Sequence, residues 1–327
     1  MPSLSVIIPT YNRCGSLLRT LKALTNQTLP YNEFEVVVVS DGSTDGTTEM
    51  ISSFRSDFKL NFVKQKNQGP SVARNQGARL AQSPLLIYLD DDIEPCIEFL
   101  EEHLREQQGQ LRLVVIGPQT GPMAEPMSNW VAWEHLMLQK QYDNFKSGVW
   151  EAGPNNLYSG NFSVLREHLL GVGGFNEVFT RQEDVELGFR LAERGLSFRF
   201  NAKADGIHRP TRTFASWYKT PYEYGRRDVQ IERDGGKKEA MDLARRHYRE
   251  RNQVTRTLAE LCIGRPIPEN ILLGIFSFAA QKSPRSMALK ACSILFNLRY
   301  LQGMSVELGG RQALWSSIKL PRQERTA

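Results

Sequence analysis

LLIYLDDD, residues 85–92, runs five apolar residues straight into three carboxylates. An unbroken apolar run of this length, with no polar alternation, reads as a strand covered on both faces. Asp90, Asp91 and Asp92 then mark its carboxyl end. The same design occurs twice upstream. SVIIPTYNR, residues 5–13, carries Val6, Ile7 and Ile8 into Pro9, Thr10, Tyr11, Asn12 and Arg13. Pro9 biases the chain out of ladder bonding, so the strand is expected to exit there. FEVVVVS, residues 34–40, ends in DGSTDGT, a loop dense in turn formers.

Helical spacing fills the intervals. Leu17, Leu18, Leu21 and Leu24 predict an amphipathic helix over 15–26, and Met50, Ile51 and Phe54 a shorter one over 49–54. A short strand is expected over 60–64. Pro70 suits a helix's first turn, and Ala73, Gly77, Leu80 and Ala81 then share a face small enough to approach a sheet closely. A helix over 98–107 and a strand over 111–116 follow. This alternation predicts an α/β fold with a mostly parallel sheet and helices on both faces. Such sheets bind ligands beyond the carboxyl ends of their strands, where Asp41 and Asp90–Asp92 lie.

Residues 117–157 are less regular and hold Trp130, Trp133 and Trp150 among polar residues. A strand turning into a helix is expected over 157–166, a helix over 183–194, and a strand over 197–202 leading to His208. Beyond residue 215 the chain reads as mainly helical, with apolar runs over 272–280 and 287–301. No repeat or low-complexity tract appears.

The 327 residues suffice for one large domain or two modest ones. Net charge is +5, from 41 Lys and Arg against 36 Asp and Glu, and the basic runs cluster late, around 224–227, 237–238 and 244–251. Such charge suits phosphates, nucleic acid or an anionic membrane, or is a solvated helix face. No nucleic-acid-binding module accompanies it, so no nucleic-acid partner is expected. Cys14, Cys96, Cys262 and Cys292 have no zinc or Cys-x-x-Cys spacing, which favours a reducing compartment. The early first strand leaves no room for a signal peptide, and no apolar window is long enough for a membrane span. The expected location is cytoplasmic, with peripheral contact at the inner face of the membrane left open.

Several residues carry chemistry on either of two readings. Asp90 and Asp92 form an Asp-x-Asp pair, whose hard oxygens suit magnesium or manganese; they equally suit an acidic turn that caps the next helix. Asp91 is expected to meet ribose or only solvent. Asp41 either accepts bonds from the DGSTDGT turn or faces a ribose or base. Glu183 and Asp184 open a helix, where carboxylates are favourable as caps, or take a proton as a base. Gly160, Gly173 and Gly174 allow close backbone approach of a ligand, or only turn the chain. Trp133 and Trp150 stack on a ligand or pack a core. His208 suits manganese, and Arg209 and Arg212 beside it suit phosphate or a solvated turn.

Four segments, in order, resemble family 2 glycosyltransferases with the GT-A fold: SVIIPTYNR, VVVSDGSTDGT, GPSVARNQGARLAQSPLLIYLDDDIEP and GVGGFNEVFTRQEDVELGFRLAERG. The resemblance covers roughly the first two thirds of the chain. It implies a Rossmann-like nucleotide-diphospho-sugar transferase domain over 1–215, with a nucleotide-binding half (1–117) and an acceptor-binding half (118–215), then a helical region over 216–327. It implies transfer, usually inverting, from a nucleoside-diphosphate sugar, most commonly UDP-linked, to an acceptor hydroxyl. Pro9, Thr10, Tyr11, Arg13, Asp41, Arg74, Asp90 and Asp91 would then border the donor. Asp90, Asp92 and His208 would hold Mn2+ or Mg2+. Asp184 would be the general base, with Glu183 positioning. Trp133, Trp150, Gly160, Asn161, Gly173 and Gly174 would line the sugar or acceptor pocket. The acceptor is left open among saccharides, lipid-linked sugars and small molecules. No Gln-x-x-Arg-Trp motif follows RQEDVE, so non-processive transfer is expected. A metal-dependent nucleotidyltransferase and a non-catalytic carbohydrate-binding protein are the rival readings. The apolar tail is expected to serve a second core, a homodimer contact or a membrane surface.

Overall fold

The computed structural model describes residues 2–122, 125–179 and 181–319, so the expected helical region is described only to residue 319. It divides into two compact units, Met1–Glu125 with Met137–Pro210, and Pro126–Leu136 with Thr211–Ala327.

The first unit alternates strand and helix: β1 (Leu4–Thr10), α1 (Cys14–Leu24), β2 (Phe34–Ser40), α2 (Thr47–Ser53), β3 (Lys59–Lys64), α3 (Pro70–Leu80) and β4 (Leu85–Leu89). There follow β5 (Ile93–Pro95), α4 (Phe99–Gln107), β6 (Leu113–Ile116), β7 (Gln119–Thr120) and α5 (Asn129–Lys146), of which only 137–146 belong to this unit. Then come β8 (Asn161–Leu165), α6 (Arg166–Gly171), α7 (Glu183–Glu193), β9 (Ser197–Phe200) and β10 (Gly206–His208). Seven strands form one sheet in the order β3-β2-β1-β4-β8-β6-β9. Every neighbouring pair is parallel except β8, which runs against β4 and β6. The fold is thus α/β with a mostly parallel sheet.

The unbroken apolar runs bury both sheet faces because the pleat sends successive side chains opposite ways. Val6, Ile8, Val36, Val38 and Ile87 pack with Leu17 and Leu21 of α1 and with Phe99 of α4. Ile7, Val37, Val39, Leu86 and Tyr88 pack with Ala73 of α3 and with Leu187 and Leu191 of α7.

Two expectations are corrected. β1 does not exit at Pro9: it continues to Thr10, paired with β2 as far as Thr10–Ser40. Its pairing with β4 ends at Ile7–Tyr88, so Pro9 lies where the strand has one ladder neighbour, the place a strand tolerates proline. Residues 117–157 are not irregular throughout, for α5 runs eighteen residues. Its apolar residues Trp130–Trp133 and Leu136–Leu138 are contiguous, not spaced at helical period, which hid it. A second sheet, β5-β10-β7, was not anticipated, because strands of two or three residues carry no periodicity.

The second unit is helical: residues 129–136 of α5, α8 (Phe214–Gly235), α9 (Lys238–Glu250), α10 (Gln253–Cys262), α11 (Pro266–Lys282), α12 (Arg285–Glu307) and α13 (Arg311–Ile318). Its core gathers Trp133, Trp217, Met241, Leu295, Leu298, Met304 and Leu314. Among the described residues, no helix is long and apolar enough to cross a membrane.

Candidate active site

Parallel pairing sets the carboxyl ends of β1, β2 and β4 along one edge of the sheet. Because β8 is antiparallel, its amino end joins them, with Leu89 opposite Asn161 and the Asp90 N–H donating to Gly160 O at 3.2 Å. The short sheet brings up a distant segment: β10 pairs with β5 in the register His208–Ile93, and His208 Nε2 lies 3.5 Å from Asp92 Oδ1.

The three consecutive aspartates go three ways. Asp90 is about a third exposed and accepts from Arg74 Nη2 at 2.9 Å. Asp92 is buried between Arg13 and His208. Asp91 turns into the protein, 4% exposed, accepting from Thr10 Oγ1 at 2.6 Å and Arg13 Nη1 at 3.1 Å, while its carbonyl accepts from Thr20 Oγ1. Asp91 is therefore turned away from solvent, and its contacts fasten the end of β4 to the end of β1. Burial pushes the Asp91 carboxyl up to about 7, against the Arg13 charge. Burial also opposes the charge on Asp92, but the bond from His208 and the charges of His208 and Arg13 outweigh it and hold that carboxyl below the usual range.

Arg74 joins two centres. Its side chain is 6% exposed; Nη2 reaches Asp90 and Nη1 reaches Glu183 Oε1, both at 2.9 Å. Burial opposes its charge, and the carboxylates of Asp90 and Glu183 overcome this, so the guanidinium stays charged. α3 thus ties the Asp-x-Asp end of β4 to the start of α7, although Arg74 and Glu183 are far apart in sequence.

Asp184 stands beside this bridge. Its carboxylate accepts from the Ser159 N–H at 3.2 Å and its neighbour Val185 N–H at 2.9 Å. The side chain keeps some accessible surface yet lies deep enough for burial to dominate. Burial, then the neighbouring Glu183 charge, raises it to about 7. A carboxyl with that value changes protonation near neutrality, as a general base requires. Gln182, just before α7, has φ +56°, and Asn12, just after β1, has φ +52°. They are the two non-glycine residues with positive φ among those described, and both flank this edge.

The other expected site residues divide. Tyr11 is 49% exposed at the rim, and Trp150 is 47% exposed. Pro9 is buried within β1. Asp41 is buried, and both its oxygens accept bonds, not from its own turn but from Gln65 Nε2 and the N–H groups of Gln68 and Gly69. At Gly160 the close neighbour is the protein's own Asp90: an added Cβ would lie 2.7 Å from Asp90 Oδ2. Gly173 and Gly174 turn the chain at φ +84° and +76° after α6, and Asn75 holds that turn through Phe175. Two sugar-pocket expectations are corrected. Asn161 is fully buried, donating to Pro118 O and Ala204 O and bonded to His103, so it has no surface for an acceptor. Trp133 belongs to the helical core, edge-on to Trp217 and beside Phe296, which is the packing alternative. Arg209 and Arg212 are both taken up by ion pairs, with Glu94 and Glu125 and with Glu134. Ser159 and Thr20 were not anticipated. They act through a backbone N–H and a hydroxyl to a carbonyl, contacts no motif announces.

Among the described residues, no group of three or more His, Cys, Asp or Glu side chains is arranged to hold a metal ion. What the site offers is a buried carboxylate beside an imidazole, Asp92 with His208, and Asp90 a residue away. That mixed oxygen and nitrogen donor set suits manganese.

A mostly parallel α/β sheet with acidic groups at its carboxyl edge is what the resemblance to the GT-A fold implies. The chain belongs to glycosyl transferase family 2, whose profile matches residues 5–171. Validoxylamine A glucosyltransferase of Streptomyces hygroscopicus subsp. jinggangensis is 32% identical over 236 residues, 64% of this chain and 56% of that one. The match thus spans little more than half of that relative's length. Glycosyltransferase AglE of Haloferax volcanii is 28% identical over 71% of this chain and 74% of its own. Among solved structures, S. aureus TarS 1-349 in complex with UDP-GlcNAc aligns with a TM-score of 0.59 at 21% identity, covering 95% of this chain and 93% of that one. Mannosyltransferase PcManGT of Pyrobaculum calidifontis, with GDP-Man and Mn2+, aligns at 0.54 and 19% identity, covering 90% and 74%. At these identities the structural likeness concerns the fold.

Proposed function

We propose that this chain is an inverting glycosyltransferase that moves a sugar from a nucleoside-diphosphate donor to an acceptor hydroxyl. The observation that carries the reading is Arg74 spanning Asp90 and Glu183 beside the half-buried Asp184. It couples a carboxylate at the donor-side strand end to a helix start bearing a carboxyl tuned near neutrality. Family membership supports it, as do the sugar nucleotides bound by the two structural neighbours.

In this reading Asp184, ionised, takes the proton of the acceptor hydroxyl. The hydroxyl oxygen forms its bond to the anomeric carbon as the bond to the diphosphate oxygen breaks on the opposite face, so configuration inverts. The electron pair of the broken bond leaves on the nucleoside diphosphate. Glu183, held by Arg74, keeps the start of α7 in place, and the Ser159 N–H orients Asp184. Tyr11 and Trp150 offer exposed aromatic surface for stacking. Asp92 and His208, joined by Asp90, would hold a divalent cation, which when bound supplies positive charge for the leaving diphosphate.

The test is a panel of UDP-, GDP- and dTDP-sugars, incubated with the protein and Mn2+ and read by release of nucleoside diphosphate. Hydrolysis or transfer with one donor class is expected. In a parallel arm with nucleoside triphosphates and a sugar 1-phosphate, pyrophosphate release would indicate nucleotidyl transfer; no turnover of any sugar nucleotide that demonstrably binds would support a carbohydrate-binding role.

A further inference from the structure

The helical unit carries a surface its own core does not use. α11 buries Leu273 and Ala280 but exposes Ile267 (76%), Ile271 (59%), Ile275 (57%) and Phe278 (68%). These positions, spaced by four, four and three residues, form one stripe along the helix. A helix of seventeen residues is about 26 Å long. Glu269 does not interrupt the stripe: it is buried, accepting from the Gly264 N–H and Gln302. From residue 270 to 306 the chain has no Asp or Glu and four basic residues, Lys282, Arg285, Lys290 and Arg299. Arg265 and Lys282, both exposed, bracket the stripe.

We propose that α11 is a lipid-docking edge that rests on the surface of an anionic membrane, with Ile267, Ile271, Ile275 and Phe278 in the acyl boundary and Arg265 and Lys282 at the headgroups. Two observations favour lipid over a second copy of the chain. The four side chains present roughly 500 Å² on the scale of about 150–250 Å² for a whole aromatic side chain. That is short of the ~800 Å² per partner of a standard interface and within the ~300–600 Å² of the largest patch on a typical monomer, a patch that is often functional. A two-fold pairing of the stripe with itself would also set Arg265 beside Lys282 of the other copy, like charge against like. A sheet of anionic headgroups meets both ends favourably. Apolar burial with basic flanks gives reversible interfacial attachment, not insertion. The inference is independent of the catalytic reading.

The experiment is co-sedimentation of the full chain with vesicles of phosphatidylcholine alone or mixed with phosphatidylglycerol. Its companion is the mass in solution by light scattering. The wild type is expected to be monomeric and to pellet with the anionic vesicles. The variant Ile271→Glu/Ile275→Glu changes only exposed positions of a helix and should keep its thermal midpoint while losing vesicle binding. Arg265→Gln/Lys282→Gln should weaken binding to anionic vesicles about tenfold or more, since each basic residue near such a surface contributes about 1 kcal/mol. A wild type that stays in the supernatant overturns the proposal. So does a dimer that the Ile271→Glu/Ile275→Glu variant dissociates, which would make the stripe a protein interface.

Discussion

If Asp184 is the base proposed above, one side chain sets activity against stability. In the fold its carboxyl is raised to about 7, first by burial and then by Glu183, whereas an unfolded aspartate titrates near ~3.9. The folded state therefore binds the proton more tightly, so this residue's contribution to stability is complete below about pH 4 and is lost as pH rises through about 7. In the proposed reading, with Asp184 as the general base, catalysis has the opposite slope, because only the ionised form accepts a proton. Asp184→Asn should lower the single-turnover transfer rate by roughly 10²-fold or more, the usual scale of a general base. The same substitution removes a charge the fold disfavours. Its unfolding midpoint should exceed the wild type's by a margin that grows from pH 4 to 7 and then levels off. Donor binding should persist in the variant, and the acidic limb of the wild-type rate profile, near pH 7 in the free enzyme, should disappear. A near-wild-type chemical rate with both substrates saturating would remove Asp184 as the base, whatever happened to stability.

Elements explain why part of this molecule was readable in its sequence and part was not. β1, β2 and β4 were legible because both faces of each are covered, so hydrophobicity alone marks them. Their polar ends were legible for the same reason, being where the run stops. The direction of each aspartate was not, since Asp91 turns inward only because Thr10 and Arg13 of the neighbouring strand end are there to bind it. Nor could spacing show that β10 would pair with β5 and carry His208 to Asp92. That pairing makes a demand at Gly206, where an added Cβ would come 2.4 Å from the methyl Cγ2 of the fully buried Ile93. Gly206→Ala should cost about 1–3 kcal/mol by overpacking and displace His208, read as a lower denaturant midpoint and weaker Mn2+ binding by calorimetry. Values equal to the wild type's would show that β5 and β10 separate freely. A second buried group lies within β2, away from the site. Glu35 has no exposed surface and accepts from Ser5, Asn61 and the Gln82 N–H, with Lys59 at 3.3 Å. Burial opposes its charge, but the bonds from Gln82, Ser5 and Lys59 prevail and hold its carboxyl below the usual range. Its stabilisation is therefore present above about pH 4.3 and is lost as pH falls through the folded value. Glu35→Gln should destabilise by about 1–3 kcal/mol at pH 7, by leaving donors facing a donor. The gap in urea midpoints between variant and wild type should close in acid; a gap independent of pH would mean that the charge is not what holds these strands.

For the whole molecule, ligand binding and folding are one equilibrium, so the midpoint of unfolding can report on a site that turnover alone does not resolve. The sequence placed an ion at Asp90, Asp92 and His208 by resemblance, and the fold brings Asp92 to His208 while leaving Asp90 on Arg74. If those groups hold a divalent cation that helps bind the donor, the effect must appear as stability that needs metal and nucleotide together. A donor at 100 times its dissociation constant adds about 2.7 kcal/mol to the native state. In domains of 150–250 residues each kcal/mol moves the midpoint by about 2–4 °C, so a rise of roughly 5–10 °C is expected with Mn2+ and the correct sugar nucleotide. Chelation should remove most of it. Asp92→Asn keeps the shape of the side chain but removes the charge. It also takes an ion-pair partner from Arg13, which retains Asp91, so a lower ligand-free midpoint is expected and must be subtracted. What remains, the rise on adding Mn2+ and donor to the variant, should be under about 2 °C, because less than ~0.5 kcal/mol of linkage survives. A variant that shows the full metal-dependent rise would exclude Asp92 as a ligand, even if its transfer activity were lost.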